Sequence, residues 1–177
     1  GVLRVLNDDI IAGGGGFPTH PHDNMEIVTI PIIGSLAHRD STGGNGTISA
    51  GEVQIMSAGS GIRHSEFNAS EDETVNLLQI WLFPKLRNIQ PRYDQRAFTP
   101  EERKNTLRVV VSPEEKDNAL WINQDAYFAL GNLDKDTEVQ WNIRNEGSGV
   151  YLFVIEGEID ANGVKIERRD GVGITET

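Results

Sequence analysis

The chain has 177 residues, enough for one ordinary domain or two small ones. Its 27 acidic and 16 basic side chains give a formal net charge of −11, so it repels phosphate backbones and we expect no direct nucleic-acid binding. Cysteine is absent, which excludes disulfides, cysteine-bound zinc and thiol nucleophiles and fits a cytoplasmic protein. No stretch is long and apolar enough to span a membrane, and we expect a monomer.

Short apolar segments separated by Gly, Asn and Asp turns run through the chain and predict an all-β protein. In chain order, the predicted strands are 2–6, 26–33, 35–39, 52–57, 75–83, 107–112, 126–130, 137–142, 150–156, 158–160, 163–167 and 171–175. Pro31 indicates an edge or an irregular position in the second of them. The segment VNLLQIWLF at 75–83 is apolar almost throughout and predicts a strand buried on both faces.

The segment 84–98 is the longest stretch without strand periodicity, and it is predicted to be a linker. A short helix is predicted directly after it, at 99–105, with Thr99 as its N-cap and a proline at its first helical position. We therefore expect two domains, residues 1–103 and residues 104–177.

A weak internal repeat also predicts two domains. The layout of strand, glycine, strand, turn, glycine and strand occurs with Gly34 and Gly51, and again with Gly157 and Gly171. Two copies of one β unit are typical of a pair of small antiparallel barrels. The chain begins in the strand-like VLRVLN and ends in GVGITET, so we expect the natural chain to continue at both ends.

Three of the four histidines lie in two pairs of the same spacing, His20-x-His22 and His64-x-Glu66. Side chains two apart on an extended segment face the same way, so each pair can converge on one point. Three neutral imidazoles and a carboxylate form a mixed nitrogen and oxygen set that suits a divalent first-row metal. We expect one such ion, Fe²⁺ first, with Ni, Mn, Cu or Zn as alternatives, and with coordination positions left for dioxygen or substrate.

The remaining histidine, His38, precedes Asp40 by two residues on a predicted strand. A contact between the two side chains, or a place at the pocket rim, is favoured over metal binding. Arg63 lies between inward positions and is expected to point away from His64. No histidine follows His64, so the C-terminal unit cannot repeat the site.

The spacing of glycines, histidines and acids resembles the two motifs of the cupin superfamily. The matching residues are Gly14, His20, His22, Glu26 and Gly34, then Gly51, Gly61, His64 and Asn68. More specifically, the stretches RVLNDD, GGGFPTHPHDNMEIV, SLAHRDSTG and GEVQIMSAGSGIRHSE resemble the pirin family of two-domain cupins. The resemblance is dense from residue 2 to about residue 84. It implies an all-β fold of two tandem cupin domains, each a jelly-roll β-barrel, with the metal in the first.

The resemblance also implies which residues act. In the pirin family the ligands correspond to His20, His22, His64 and Glu66. Glu26, the acid that most single-domain cupins use, remains an alternative ligand or a partner of a ligand. The implied activity is that of a quercetin 2,3-dioxygenase acting on a small aromatic substrate and dioxygen, with Glu66 as the catalytic proton acceptor. The alternative is a non-enzymatic regulatory protein that binds a metal and a protein partner; a deep apolar pocket beside the metal would favour the enzyme.

Overall fold

The fold is described here from a computed structural model, over residues 1–175. Nearly all of its regular elements are β-strands, which confirms the all-β prediction. The chain divides into two compact units, residues 1–138 and a second unit that begins at Val139.

The first unit contains twelve of the strands. They are β1 Leu3–Ile11, β2 Gly16–His22, β3 Glu26–Ile33, β4 Ser35–Asp40, β5 Asn45–Ser49, β6 Glu52–Ser57, β7 Ile62–Asn68, β8 Val75–Leu82, β9 Arg92–Ala97, β10 Arg108–Ser112, β11 Leu120–Trp121 and β12 Phe128–Leu130. A short helix, α1, spans Pro100–Arg103, and a 3₁₀ turn spans Glu115–Asp117.

Two antiparallel sheets make up most of this unit. One has five strands in the order β1-β8-β3-β6-β9, and the other has four in the order β2-β7-β4-β5. Buried side chains from both sheets pack together; one cluster joins Ile11, Leu36, Val75 and Leu77. Removing such apolar area from water contributes roughly 25 cal/mol per Å². A smaller sheet, β11-β10-β12, completes the unit.

The interior strands β3 and β8 have the burial and the pairing that their sequences predict. Every residue of β8 except Trp81 is buried, which confirms the strand buried on both faces. Pro31 lies in an interior strand, yet β6 pairs with β3 only from Glu26 to Thr29, and the pairing with β8 is irregular just after Pro31. The missing amide of this proline therefore falls where the ladder has ended or shifted, as expected for an irregular position.

Two sequence predictions are wrong. The predicted linker 84–98 contains β9, which pairs with β6 along its whole length. β9 is an edge strand with half-exposed faces, so its sequence RYDQRA lacks the apolar alternation that reveals a strand. Conversely, the predicted strand 137–142 forms no strand, because alternation alone supplies no partner for its backbone hydrogen bonds.

The helix predicted at 99–105 is present in a shorter form, Pro100–Arg103, with Thr99 as its N-cap. The Thr99 hydroxyl accepts a hydrogen bond from the backbone N–H of Glu102, and the Glu102 carboxylate accepts one from the N–H of Thr99. This reciprocal capping satisfies amides that the first helical turn leaves unpaired. Among residues 1–175, no helix has the length and apolar character needed to cross a membrane.

The second unit contains β13 Val150–Phe153, β14 Glu158–Ala161, β15 Val164–Glu167 and β16 Gly171–Ile174. β13 pairs with β16 and β14 pairs with β15, both antiparallel. Gly157, in the turn before β14, has a φ of +86°, and Gly34, between β3 and β4, has a φ of +76°. Both turns of the predicted repeat thus use the left-handed backbone conformation that glycine adopts without strain.

Candidate metal centre

β2 presents its histidines from the edge of the four-stranded sheet. Pro18 and Pro21 lack a backbone N–H, and a sheet edge is where a strand tolerates them. β2 pairs with β7 so that His20 lies opposite His64, after a register shift that follows Phe17. A shift of this kind, a β-bulge, re-aims the side chains beyond it. The bulge therefore sets the face of β2 on which the histidines lie.

The rings of His20, His22 and His64 form a close cluster. The ring centroid of His20 lies 4.4 Å from that of His64 and 4.9 Å from that of His22, and the His22 and His64 centroids are 4.9 Å apart. One nitrogen from each ring lies within 4.8 Å of the others. The register and the alternation of the two strands thus bring three imidazoles to one point, as the spacing predicts.

Glu66 joins this cluster through His64. A carboxylate oxygen of Glu66 lies within 4.8 Å of ring nitrogens of His64 and His38, in a second group that shares His64 with the first. Glu66 is 1% exposed, and its Oε2 accepts a hydrogen bond of 2.8 Å from Nε2 of Gln79. The four residues predicted as ligands therefore lie in one neighbourhood, with His64 between the two groups.

Several polar atoms in this neighbourhood are buried without a partner. Among the described residues, neither ring nitrogen of His64 and not Oε1 of Glu66 has a hydrogen bond. Leaving a buried polar atom unsatisfied costs about 1–3 kcal/mol, and more for a charged group. A divalent cation held by imidazole nitrogens and a carboxylate oxygen would satisfy these atoms, so the residues present fit a metal.

The electrostatics of the cluster also suit a metal. Burial, together with the neighbouring imidazoles, His20 first, lowers the pKa of His64 to about 3. Burial and the charge of His20 lower the pKa of His22 to about 4. Both rings are therefore neutral at neutral pH, which is the state that binds metals. Burial raises the pKa of the Glu66 carboxyl, and the hydrogen bond from Gln79 opposes that rise.

His38 is fully buried and lies beside the cluster, with its ring centroid 5.3 Å from that of His64. Its Nε2 lies 3.0 Å from Oδ2 of Asp40, so the expected contact between these side chains is present. Burial raises the pKa of Asp40, but hydrogen bonds, first from the Thr42 side chain and then from His38, bring it down to about 2. Asp40 is therefore ionised and accepts the proton of Nε2, which orients the His38 ring.

Glu26 lies in neither group of candidate ligands. It is fully buried, and its Oε2 accepts hydrogen bonds from the Ser57 hydroxyl at 2.8 Å and from the Asn123 backbone N–H at 3.2 Å. Asn123 also bonds through its side chain to the backbone of Leu86. Glu26 thus ties the segment after β11 to the barrel, which is a structural task.

Replacing Glu26 by Gln keeps an acceptor for Ser57 and Asn123 and removes the buried charge. Burial raises the pKa of Glu26 in the folded protein, so its contribution to stability is complete below the unfolded-state pKa and is lost as pH rises through the folded-state pKa. In urea unfolding of the metal-free protein, the stability of Glu26→Gln relative to wild type should therefore increase as pH rises above about 4, the ordinary pKa of a glutamate in the unfolded chain. Metal content should be unchanged. Glu101→Gln removes an exposed charge of the same kind and is the control; a flat pH profile, or loss of metal, would contradict this assignment.

A cleft of about 590 Å³ opens beside the histidines. Its lining includes His22, Met25 and Trp81, with Arg4 and Arg63 among its charged residues. The ring of Trp81 meets the ring of His22 edge to face, with centroids 4.9 Å apart. Arg63 is exposed whereas His64 is buried, as strand alternation predicts. The cleft thus combines an aromatic wall with charged groups next to a candidate ligand.

Gln79 and Trp81 are the site residues that sequence reasoning missed. Both lie in the apolar run of β8, whose sequence predicts a buried strand and no site residue. The available signal was Gln79 itself, because a polar side chain in a strand buried on both faces requires a buried hydrogen-bond partner. That partner is Glu66, on a strand of the other sheet.

Comparison with known proteins agrees with this arrangement. A family model described as pirin matches residues 2–82, and a model described as quercetinase C-terminal cupin domain matches residues 109–177. The chain is 44% identical over 172 residues to quercetin 2,3-dioxygenase of Escherichia coli K12, covering 97% of this chain and 73% of the relative. It is 41% identical over 175 residues to a pirin-like protein of Caulobacter vibrioides, covering 98% and 75%.

A solved structure, bacterial pirin YhhW from Escherichia coli in complex with nickel(II), superposes with a TM-score of 0.82 at 38% identity. The match covers 99% of this chain and 74% of that chain. The expectation of two tandem cupin domains is thereby confirmed. By its matched segments, its relatives and its fold, this chain belongs to the pirin family of two-domain cupins.

Proposed function

We propose that this protein is a metal-dependent dioxygenase that opens a flavonol or a similar aromatic ring, as a quercetin 2,3-dioxygenase does. The observation that carries the proposal is the cluster of three imidazoles and Glu66, with unpartnered buried atoms, beside a cleft. The relative named quercetin 2,3-dioxygenase supports the reaction class, and the nickel complex of bacterial pirin supports a divalent metal.

The ligands that we propose are His20, His22, His64 and Glu66, holding one divalent transition metal. Fe²⁺ is the expected ion, with Ni, Mn, Cu or Zn as alternatives, and nickel gains support from the related structure. When bound, such an ion polarises a hydroxylated aromatic as a Lewis acid, and a redox-active one also supports chemistry with dioxygen. We also propose that the chain forms two cupin domains, 1–103 and 104–177. Their boundary then falls in the sequence between the two matched segments.

The residues around the site would bind the substrate and take its proton. The cleft is within the range of about 300–1,000 Å³ typical of small-molecule sites, and Met25 and Trp81 belong to the apolar part of a lining that is otherwise mostly polar or charged. Glu66 is buried beside the imidazoles, where a positioned carboxylate can act as a general base. We propose that this carboxylate accepts the substrate's hydroxyl proton.

Metal analysis followed by oxygen uptake tests the proposal. We expect one tightly bound divalent metal per chain, and consumption of one dioxygen with release of one carbon monoxide for each quercetin turned over. Two metals per chain would contradict a site confined to the N-terminal barrel. Metal binding without turnover, for every divalent ion tried and for related aromatics, would instead favour the regulatory protein.

A further inference from the structure

A chain of two hydrogen bonds runs from the cleft wall to Glu66. The indole Nε1 of Trp81 donates to Oε1 of Gln79 at 3.1 Å, and Nε2 of Gln79 donates to Oε2 of Glu66 at 2.8 Å. Gln79 is 7% exposed and Trp81 is half-buried, so water competes little for the inner bond. The contacts among the histidines involve neither of these two hydrogen bonds.

The chemistry of the three groups leaves one orientation for the amide of Gln79. An indole N–H can only donate, so the oxygen of Gln79 must face Trp81. The NH₂ group then faces Glu66, where a carboxylate oxygen accepts. One oxygen of Glu66, Oε2, is thereby occupied, and the other, Oε1, is left without a partner among the described residues.

These two hydrogen bonds also join the two sheets at the site. His20, His22, His64 and Glu66 all lie on β2 and β7 of the four-stranded sheet, whereas Gln79 and Trp81 lie on β8 of the five-stranded sheet. Trp81 contacts His22 through its ring and Glu66 through Gln79. The opposite sheet therefore touches the proposed ligand set at two of its members.

We infer that Gln79 and Trp81 are positioning residues that hold Glu66 so that it offers a single oxygen, Oε1, to the metal. The inference rests on the proposed metal site but not on the proposed dioxygenase activity. Partners of metal ligands orient those ligands, and their removal typically costs about 10–100-fold in metal affinity.

The first test replaces Gln79 by Met, which keeps the length and the apolar volume but removes both amide groups. Metal-free protein is titrated with Co²⁺, and the affinity and the visible absorption spectrum of the bound ion are recorded. We expect binding about 10–100-fold weaker than in the wild type, and a changed spectrum because Glu66 is free to turn or to bind through both oxygens. The matched control is Gln54→Met: Gln54 is also buried in the five-stranded sheet, but its amide reaches Thr29, at 3.4 Å, rather than a ligand.

The second test replaces Trp81 by Phe, which keeps an aromatic ring against His22 and removes the indole N–H. We expect a changed Co²⁺ spectrum and weaker binding in the same direction as Gln79→Met, because the amide of Gln79 is then free to rotate. Trp121→Phe, at a partly exposed position outside the cleft, is the control. The double variant should lose no more affinity than Gln79→Met alone, since residues that act in series are not additive.

Three outcomes would overturn the inference while leaving the proposed metal site in place. One is a Gln79→Met protein that melts at a lower temperature but binds Co²⁺ with wild-type affinity and spectrum, because that is the result of a purely structural role. Another is an equal loss in Gln54→Met, and the third is full additivity in the double variant. A wild type that binds no Co²⁺ would overturn the metal site as well. Oxygen consumption is not measured in these tests, so the dioxygenase proposal fails or stands separately.

Discussion

Replacing His64 by Ala is expected to abolish metal binding. His64 is shared by both groups of candidate ligands, and it is 1% exposed with neither ring nitrogen hydrogen-bonded among the described residues. Its loss removes one proposed metal–nitrogen bond and the residue that the two groups share. Elemental analysis after purification, and titration of the metal-free protein with Zn²⁺ or Ni²⁺, would measure the effect.

His38→Ala is the matched control, because His38 is equally buried and lies beside the same ring. Both variants lose an imidazole and leave a similar cavity, so the difference between them isolates metal binding from packing. His38 contacts Asp40 and is not one of the proposed ligands. We therefore expect the His38→Ala substitution to weaken metal binding by at most about 10–100-fold. Equal loss of metal in the two variants would mean that the ligands are misassigned, with His38 in the set.

Replacing Glu66 by Gln should weaken metal binding without abolishing it, and should reduce turnover much further. Glutamine keeps an oxygen donor but has neither the charge nor the basicity of the carboxylate, while three imidazoles remain. A positioned general base typically contributes about 10²–10⁴-fold to the rate, so we expect a loss of that order. The measurement is quercetin-dependent oxygen consumption per bound metal, after occupancy has been confirmed.

Glu26→Gln is the control for this experiment as well. It is the same substitution at another fully buried glutamate, whose oxygen is held by Ser57 and Asn123 and lies outside the ligand groups. Turnover by Glu26→Gln should be near that of the wild type. Wild-type turnover by Glu66→Gln at full metal occupancy would remove Glu66 from the proton transfer.

The cluster of imidazoles can be predicted from sequence because its logic is local. Two histidines separated by one residue on an extended segment share a face whatever the rest of the fold does. The pairing of His20 with His64 additionally requires β2 and β7 to be neighbours, and here the resemblance to the pirin family supplied what local patterns do not. The strands β3 and β8 can also be predicted from the sequence, because an interior strand has an apolar sequence.

The features that sequence reasoning missed depend on packing between distant segments. Gln79 meets Glu66 across two sheets, and no spacing along the chain encodes that contact. β9 pairs only at the sheet edge, so its side chains need not alternate. The bulge before His20 places two residues of β2, Pro18 and Thr19, opposite one residue of β7, Ser65, and this is visible only when the two strands are aligned.

The position of the proposed ligands on strands alone has a consequence for how the family can diversify. A residue inserted within β2 or β7 would turn the side chains that follow it to the other face of the strand and destroy the site. By contrast, Ser41, Ser60 and Gly61, which line the cleft, lie in turns between strands, and turns accept changes of length at little cost. Changes of length in these turns can therefore alter which molecules fit the cleft while the ligand set stays the same. Substrate choice and metal chemistry can then change independently.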